Sequence, residues 1–371
     1  RKYRIDNIYI YPNITTAIDN GHRHFDTLIY PYATRRGTTD YNFIYDKRIT
    51  PSPKTISHSM FIFNGQTYRP RIASSTSAAL LGLHNFKYVD ISFDESPNST
   101  DTNCLLDARI RLLNSTRHRL SLSLELTNSS NMGKSGSNII TSGNLGLGAT
   151  LGYQNSNLLG GAEMLNVEGS LLLDLPKDVF RMQEYDFYSA FASFETGIGA
   201  SLDLPAFLLP FSRYIQWQRT IPHTIVSLST DYQYRTINTA KLETAIERIR
   251  FSGAFGYSWS HSRHSQHKLF PVNISFSPPL SGEEYYYDLF LRTKDVRFIF
   301  QTVNYYLLNT HYEFTFSNQV LGQRQGFNYF HLSAETAGNL IAGIDHLVAP
   351  GGGSMIFRDP DNDALDVDYY Q

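Results

Sequence analysis

Leu120, Leu122, Leu124 and Leu126 lie on one side of an extended chain, and Arg119, Ser121, Ser123, Glu125 and Thr127 lie on the other, because successive strand side chains point to opposite faces. The pattern recurs down the chain in segments of about ten residues separated by turn residues, the signature of a sheet with lipid on one side and water on the other. From about residue 118 onward the chain is therefore expected to be a transmembrane antiparallel β-barrel wall, and the fold class mainly β.

A length of 371 residues accommodates two domains, or one small domain and one large sheet. Only 18% of residues are charged while 14% are aromatic, mostly the 25 Tyr and 24 Phe, against about 25% charged in an average globular chain. Tyrosine and tryptophan gather where one end of the ring is wet and the other apolar, as at bilayer headgroups. The alternative is an aromatic-rich soluble β-protein. A formal net charge of -2 gives no global field to collect nucleic acid, and nucleic-acid binding is excluded. The lone Cys104 closes no intrachain disulfide. No run of eighteen or more apolar residues occurs, which removes a transmembrane helix. The opening Arg1-Lys2-Tyr3 carries neither an initiator Met nor a signal-peptide pattern, so a mature or truncated start is expected.

Residues 1–115 read differently from the rest, as a small α+β domain. Tyr3, Ile5, Asn7, Tyr9 and Tyr11 alternate with Arg4, Asp6, Ile8 and Ile10 in a first strand that Pro12 closes. The polar stretch Asn13 to Thr50 reads as a long loop or insertion, with one short strand around Asn42 to Tyr45. Pro51 and Pro53 set up a helix near Lys54 to Phe63. A second helix, Pro70 to His84, has Ile72, Ser75, Ala79 and Leu83 at helical spacing and Asn85 as its stop. Phe86 to Glu95 and Leu105 to Leu113 then form an antiparallel pair. Strand, helix, helix, strand, strand is a module of the size that folds alone.

Residues 116–371 hold the sheet segments. After His118 to Thr127 come Asn144 to Gln154, Glu163 to Leu173, Tyr188 to Leu204, Thr224 to Tyr234, Ile249 to Trp259, Lys268 to Phe276, Tyr312 to Ser317, Asn328 to Thr336 and a partial Leu365 to Tyr369. Phe270, Val272, Ile274 and Phe276 are expected on the lipid face, and charged residues keep to the other. Ser281 to Leu308, with Tyr285-Tyr286-Tyr287, reads as a helical or irregular excursion. About ten strands result. An open sheet in lipid leaves unpaired backbone groups costing several kcal/mol apiece, so the chain is expected to be a fragment of a longer barrel.

Sites of chemistry are sparse. His261, His264 and His267 have a metal-like spacing, but Ser262, Arg263 and Gln266 between them read as a polar turn. Asp359, Asp361 and Asp363 resemble half a calcium loop, with Ala364 where glycine is needed and no glutamate at the twelfth place. Gly351-Gly352-Gly353 lacks the lysine of a phosphate loop. Asn13-Ile14-Thr15, Asn114-Ser115-Thr116 and Asn273-Ile274-Ser275 match a glycosylation pattern too short to carry weight. With no acid-base pair or activated nucleophile, no enzyme, no metal and no cofactor is expected. A physical site remains: the edge of the first barrel strand, which either opens to template an incoming strand or forms an ordinary, permanently closed seam with the last strand, two states that composition does not separate.

The stretches Leu120 to Ser130 and Gly143 to Glu163 resemble the start of the barrel in the BamA/TamA family of outer-membrane assembly proteins, closest to the TamA-like branch of Bacteroidota. Gly82 to Ile91 with Leu105 to Ile110 resembles the end of a POTRA domain, the periplasmic module this family places before its barrel. The resemblance implies a sixteen-stranded barrel in a Gram-negative outer membrane, of which this chain supplies about ten strands, with one POTRA domain in the periplasm. It also implies that a lateral gate between first and last strands inserts unfolded outer-membrane proteins into the bilayer. Under it, Leu120, Ser121, Leu122, Ser123, Leu124, Glu125 and Leu126 supply the gate edge. Phe86, Tyr88, Ile91 and Phe93 supply a sheet for unfolded substrates or for TamB-like or lipoprotein partners. The family's Arg-Gly-Phe loop motif and closing strand are not in the sequence, and the Asn13 to Thr50 insertion departs from a minimal POTRA domain. The alternatives are the outer-membrane end of a TamB-like lipid or protein transport bridge, and a passive channel.

Overall fold

The computed structural model describes residues 2–13, 25–34, 37–46, 48–100, 104–135, 138–176, 193–208, 222–239, 242–262, 264–294, 305–319 and 326–338. Outside them lie Arg263, the Leu365 to Tyr369 segment, the glycine run 351–353, the aspartates 359, 361 and 363, and most of the first glycosylation match. Two separate sheets carry the described residues.

Strands β1 (Arg4–Tyr11), β2 (Asp26–Thr34), β3 (Gly37–Tyr45), β4 (Phe86–Glu95) and β5 (Leu105–Asn114) form the first sheet, in the order β2-β3-β1-β5-β4. β1 runs parallel to β3 and β5, while β2–β3 and β4–β5 are antiparallel pairs. Helices α1 (Pro53–His58) and α2 (Pro70–Gly82) complete this module. Ile8, Ile10, Tyr41, Phe43, Ile110 and Leu112 from the sheet and Ile56 and Leu80 from the helices are wholly buried in one core. Ile5 shares that core because the β1 register against β5 shifts between Ile5 and Ile8. Strict alternation would have set the two on opposite faces. At the shift, the Asn7 backbone N–H and Nδ2 both donate to Asp107 Oδ1, at 3.2 and 3.0 Å.

Three sequence expectations change here. The stretch read as a long loop contains a hairpin, β2–β3, whose second strand pairs with β1. Only one face of this hairpin meets the core, through Tyr41 and Phe43 with Tyr30 and Tyr32 beside them, so its outer positions are free to be polar. The first helix stops at His58 rather than Phe63. Ser52 caps it by accepting from the Thr55 N–H at 3.3 Å, but Met60 and Ile62 are both buried, a two-residue spacing that an extended chain satisfies and a helix does not. The chain is fixed there by Tyr41, whose hydroxyl donates to the Ile62 carbonyl at 3.0 Å. In α2 the expected Ile72, Ala79 and Leu83 do face the core, but Thr76 and Leu80, not Ser75, are the other residues buried there, and Thr76 Oγ1 accepts from the Phe61 N–H at 3.2 Å.

The second sheet is an antiparallel meander of β6 (His118–Ser135), β7 (Asn138–Asn155), β8 (Met164–Pro176), β9 (Ser193–Leu204), β10 (His223–Thr239), β11 (Leu242–Ser262), β12 (Ser265–Ser277), β14 (Tyr305–Ser317) and β15 (Tyr329–Ala337). Short β13 (Pro279–Ser281) pairs with β11, and α3 (Glu283–Thr293) follows it. The expected excursion after Ser281 thus ends earlier than read, since Tyr305 to Leu308 already belong to β14. Strand lengths of 12 to 21 residues along β9 to β11 meet or exceed the about 9–11 that a tilted strand needs to span hydrocarbon.

His58 closes α1 with Nδ1 3.0 Å from the Tyr32 hydroxyl. Burial, and then the Lys54 ammonium, hold its pKa below the usual histidine value. Its neutral form is the one the fold favours, so its stabilisation is complete above the ordinary value of about 6.5 and is lost as pH falls from there through the lowered value of the folded state. Acidification below that value is expected to speed hydrogen exchange in the first sheet, less so in His58→Gln; identical pH profiles would remove His58 from the account. Ile8→Ala, at the centre of the core, is expected to cost about 2–5 kcal/mol, read as faster exchange in β1 and β5 with the second sheet unchanged.

Candidate functional site

Register carries one apolar face across the second sheet. Leu120, Leu122, Leu124 and Leu126 stand opposite Tyr153, Leu151, Ala149 and Leu147. These in turn oppose Val167, Gly169, Leu171 and Leu173 of β8. The row continues through Ala200, Ile198, Thr196 and Phe194, then Leu228, Thr230, Tyr232 and Tyr234. The four β6 leucines are 68–78% exposed, and Leu151, Ile198 and Leu228 are also exposed. An apolar surface continuous over so many strands exceeds what a water-facing surface tolerates and marks contact with another apolar phase.

The other face is polar. Rows such as Glu125, Gly148, Leu172, Glu195, Gln233 and Arg248 run across it. Several of its charges are matched within the sheet: His223 Nδ1 lies 2.7 Å from Asp203 Oδ1, and Lys268 Nζ lies 3.3 Å from Glu313 Oε2. Glu247 falls on the apolar side, opposite Tyr234, and accepts from the Tyr232 hydroxyl at 3.1 Å. Glycine on the polar face of β7 serves close approach. A Cβ at Gly152 would stand 2.6 Å from Ser121 Oγ, and one at Gly146 would collide with Thr127 Oγ1, so the polar side chains of β6 lie across their neighbour.

Phe270 is a correction to the sequence reading. The β11–β12 register shifts between Phe255 and Tyr257, and Leu269 takes the apolar place opposite Tyr257. Phe270 crosses to the polar face, where its ring occupies the space a Cβ at Gly256 would need. Two aromatic rims bound the apolar band. Near the module end Trp259 stacks on His267 at 5.3 Å, His267 Nδ1 lies 2.9 Å from the Tyr312 hydroxyl, and Phe314 packs on Phe330. His118 and Tyr153 repeat the histidine–tyrosine pairing at 2.9 Å. At the far end Phe251 stacks on Phe276 and Phe194 meets Tyr232 edge-on. Phe251 and Trp259 are eight residues apart, which at about 3.4 Å per residue and a tilt of about 40° puts roughly 20 Å between the rims.

His264 and His267, two of the three histidines with metal-like spacing, each hold a hydrogen bond to β14: His264 Nδ1 lies 3.0 Å from the Ser317 carbonyl. Among the described residues no group of three His, Cys, Asp or Glu is placed to hold a metal, and no helix is long and apolar enough to cross a membrane.

β6 is the edge that the sequence singled out. Among the described residues it has β7 as its one neighbour, and Ser121, Ser123 and Glu125 face Gly152, Thr150 and Gly148. The second predicted surface does not hold together. Phe86 is a core residue and Ile91 and Phe93 pack against that core; Tyr88 is 60% exposed, on the face that carries the Arg111–Asp90 pair at 3.2 Å. A register shift between Phe86 and Tyr88 separates them. What β4 does offer is backbone, since it ends the sheet with β5 as its one described neighbour.

No protein-family model and no curated protein matches the chain. Among solved structures it is similar to BamA from Haemophilus ducreyi lacking POTRA domains 1–3, at 12% identity and a TM-score of 0.39, over 86% of this chain and 54% of that one. CdiB from Acinetobacter baumannii aligns at 9% identity and a TM-score of 0.44, over 91% of this chain and 62% of that one. CdiB from Escherichia coli aligns at 10% and 0.43, over 91% and 59%. The chain therefore spans between 54% and 62% of the length of these structures.

The two faces of β6 are separable by charge. Leu124→Arg sets a cation on the apolar face and is expected to cost about 2–4 kcal/mol of insertion into a bilayer, while Ser123→Arg sets it beside Glu125 and is tolerated. The check is the folded, lipid-embedded fraction after refolding into liposomes; equal losses for the two would deny the assignment of faces.

Proposed function

We propose that the chain is part of a bacterial outer-membrane assembly factor, which inserts unfolded outer-membrane proteins through a lateral gate that has β6 as one side. The observation that carries this is β6 itself: 18 residues long, apolar on one face from Leu120 to Leu126 and polar on the other there, and paired with β7 on one side among the described residues. In hydrocarbon an unsatisfied backbone group costs several kcal/mol, whereas in water a hydrogen bond contributes a net ~1 kcal/mol. A strand edge at membrane depth therefore drives pairing far more strongly than the same edge in water, and β-augmentation by an incoming strand relieves it. In this reading the second sheet is the beginning of an outer-membrane barrel, its apolar band faces acyl chains, and the α+β module is a POTRA domain in the periplasm. No enzymatic step belongs to it.

A second reading, the outer-membrane end of a TamB-like transport bridge, draws support from the module. Its two edges differ: β2 carries Pro31, which lacks a donor and blunts pairing, while β4 is uninterrupted by proline. A long periplasmic β-rich partner would continue the sheet at β4.

Photocrosslinking side chains at Ser121 and Ser123, compared with Ser201 in the middle of the sheet, separate the readings. The insertion factor is expected to give adducts with newly made outer-membrane proteins from β6 and none from Ser201. Adducts from β4 to one periplasmic partner, with none from β6, would replace the gate by the bridge.

A further inference from the structure

The loop joining β7 to β8 reaches out of its own sheet. Ala162 is 3% exposed and belongs to the buried core of the α+β module, alongside residues more than fifty positions away. Next to it, the Gly160 carbonyl accepts from the N–H of Ser52 at 2.9 Å, and Ser52 is the residue that caps α1. This placement needs a rigid loop. Asn157 Oδ1 accepts from the Ala162 N–H at 3.0 Å, and the Glu163 carboxylate accepts from the N–H groups of Leu159 and Gly161 at 3.1 and 2.9 Å. Gly160 and Ala162 hold φ of +103° and +69°, so the sharp reversal has been built where the loop enters the core.

The short linker between β5 and β6 is held to the same loop. Ser115 N–H donates to the Asn85 carbonyl at 2.8 Å, tying the linker to the module, and Ser156 N–H donates to the Arg117 carbonyl at 2.9 Å, tying it to the loop. The Arg117 guanidinium adds bonds to Asn155 Oδ1 and the Leu158 carbonyl, each at 3.4 Å. Ser156 and Asn157 are themselves buried. A linker of three residues would otherwise be the natural hinge; here its polar groups are consumed on both sides.

We propose that loop 156–163 pins the module to the first hairpin, so that the α+β module and β6 to β8 form one rigid body. The consequence for gating rests on the insertion reading: β6 then moves only together with the module, and opening of the seam falls to the strand on its other side or to movement of this whole body.

The test works on the full chain in bilayers, with Cys104→Ser as background. Spin labels at Tyr88→Cys and Leu124→Cys are expected to give one narrow distance distribution, which Ala162→Glu, and more mildly Asn157→Ala, broadens. A distribution already as broad with Ala162 intact would overturn the proposal. If depleting the protein has no effect on assembly, the insertion reading fails, and the distance distribution still decides the rigid body.

Discussion

Every backbone N–H and C=O in the second sheet has to find its partner on a neighbouring strand, because the apolar face excludes the water that would otherwise supply one. That requirement explains the long unbroken ladders of the meander, which run for 17 consecutive pairs between β10 and β11 and 18 between β6 and β7, with register shifts confined to the pairings of β12 and β13. It also explains why a strand edge is the most consequential feature such a sheet can have. A loop residue on the surface of a soluble protein is replaced by water at little cost; a ladder position at membrane depth is not. The length of β6 therefore multiplies the drive to pair, and its polar face gives an incoming strand a side to hold to water.

The same period of two produces opposite outcomes in the two sheets. In β1, Ile8 and Ile10 are fully buried, whereas Leu120 to Leu126 of β6 are among the most exposed apolar residues of the molecule. What differs is the company each strand keeps. The first sheet has α1 and α2 to lay against its apolar face; the second has no helix along its apolar rows among the described residues, and most of its described aromatic pairs lie toward the two ends of the strands, with Phe255 between them. Alternation specifies which side chains share a face, and only the surrounding elements specify what that face meets.

This is also where the sequence stopped being legible. The strands of the meander were readable because leucine, serine and glycine alternate over many residues, and the error at Phe270 came from a register shift that local alternation carries no trace of. The hairpin β2–β3 was hidden for a related reason: half its positions face water, Pro31 interrupts it, and its membership of the sheet depends on a parallel pairing of β3 with β1 that no local pattern announces. Phe86, Ile91 and Phe93 were apolar positions in a strand correctly placed, yet periodicity cannot tell an apolar residue turned toward a core from one offered to a partner. Ala162 could not have been anticipated at all, since a small residue between Gly161 and Glu163 reads as turn, and only its burial in a distant core gives it a role.

On the insertion reading, the aromatic rims place a further constraint on the proposed gate. A strand that exchanges partners has to keep its depth in the bilayer while it does so, or its polar face is dragged into acyl chains. On β6 the depth is set from the module end, by the His118–Tyr153 pair at the rim and by the linker bonds of Arg117 and Ser156 just below it. Toward Ser135 the same strand relies on β7 for its backbone bonds. The module end of β6 is therefore fixed by side chains, linker and loop together, so that, on the insertion reading, an incoming strand meets an edge whose depth is already set where the module is attached.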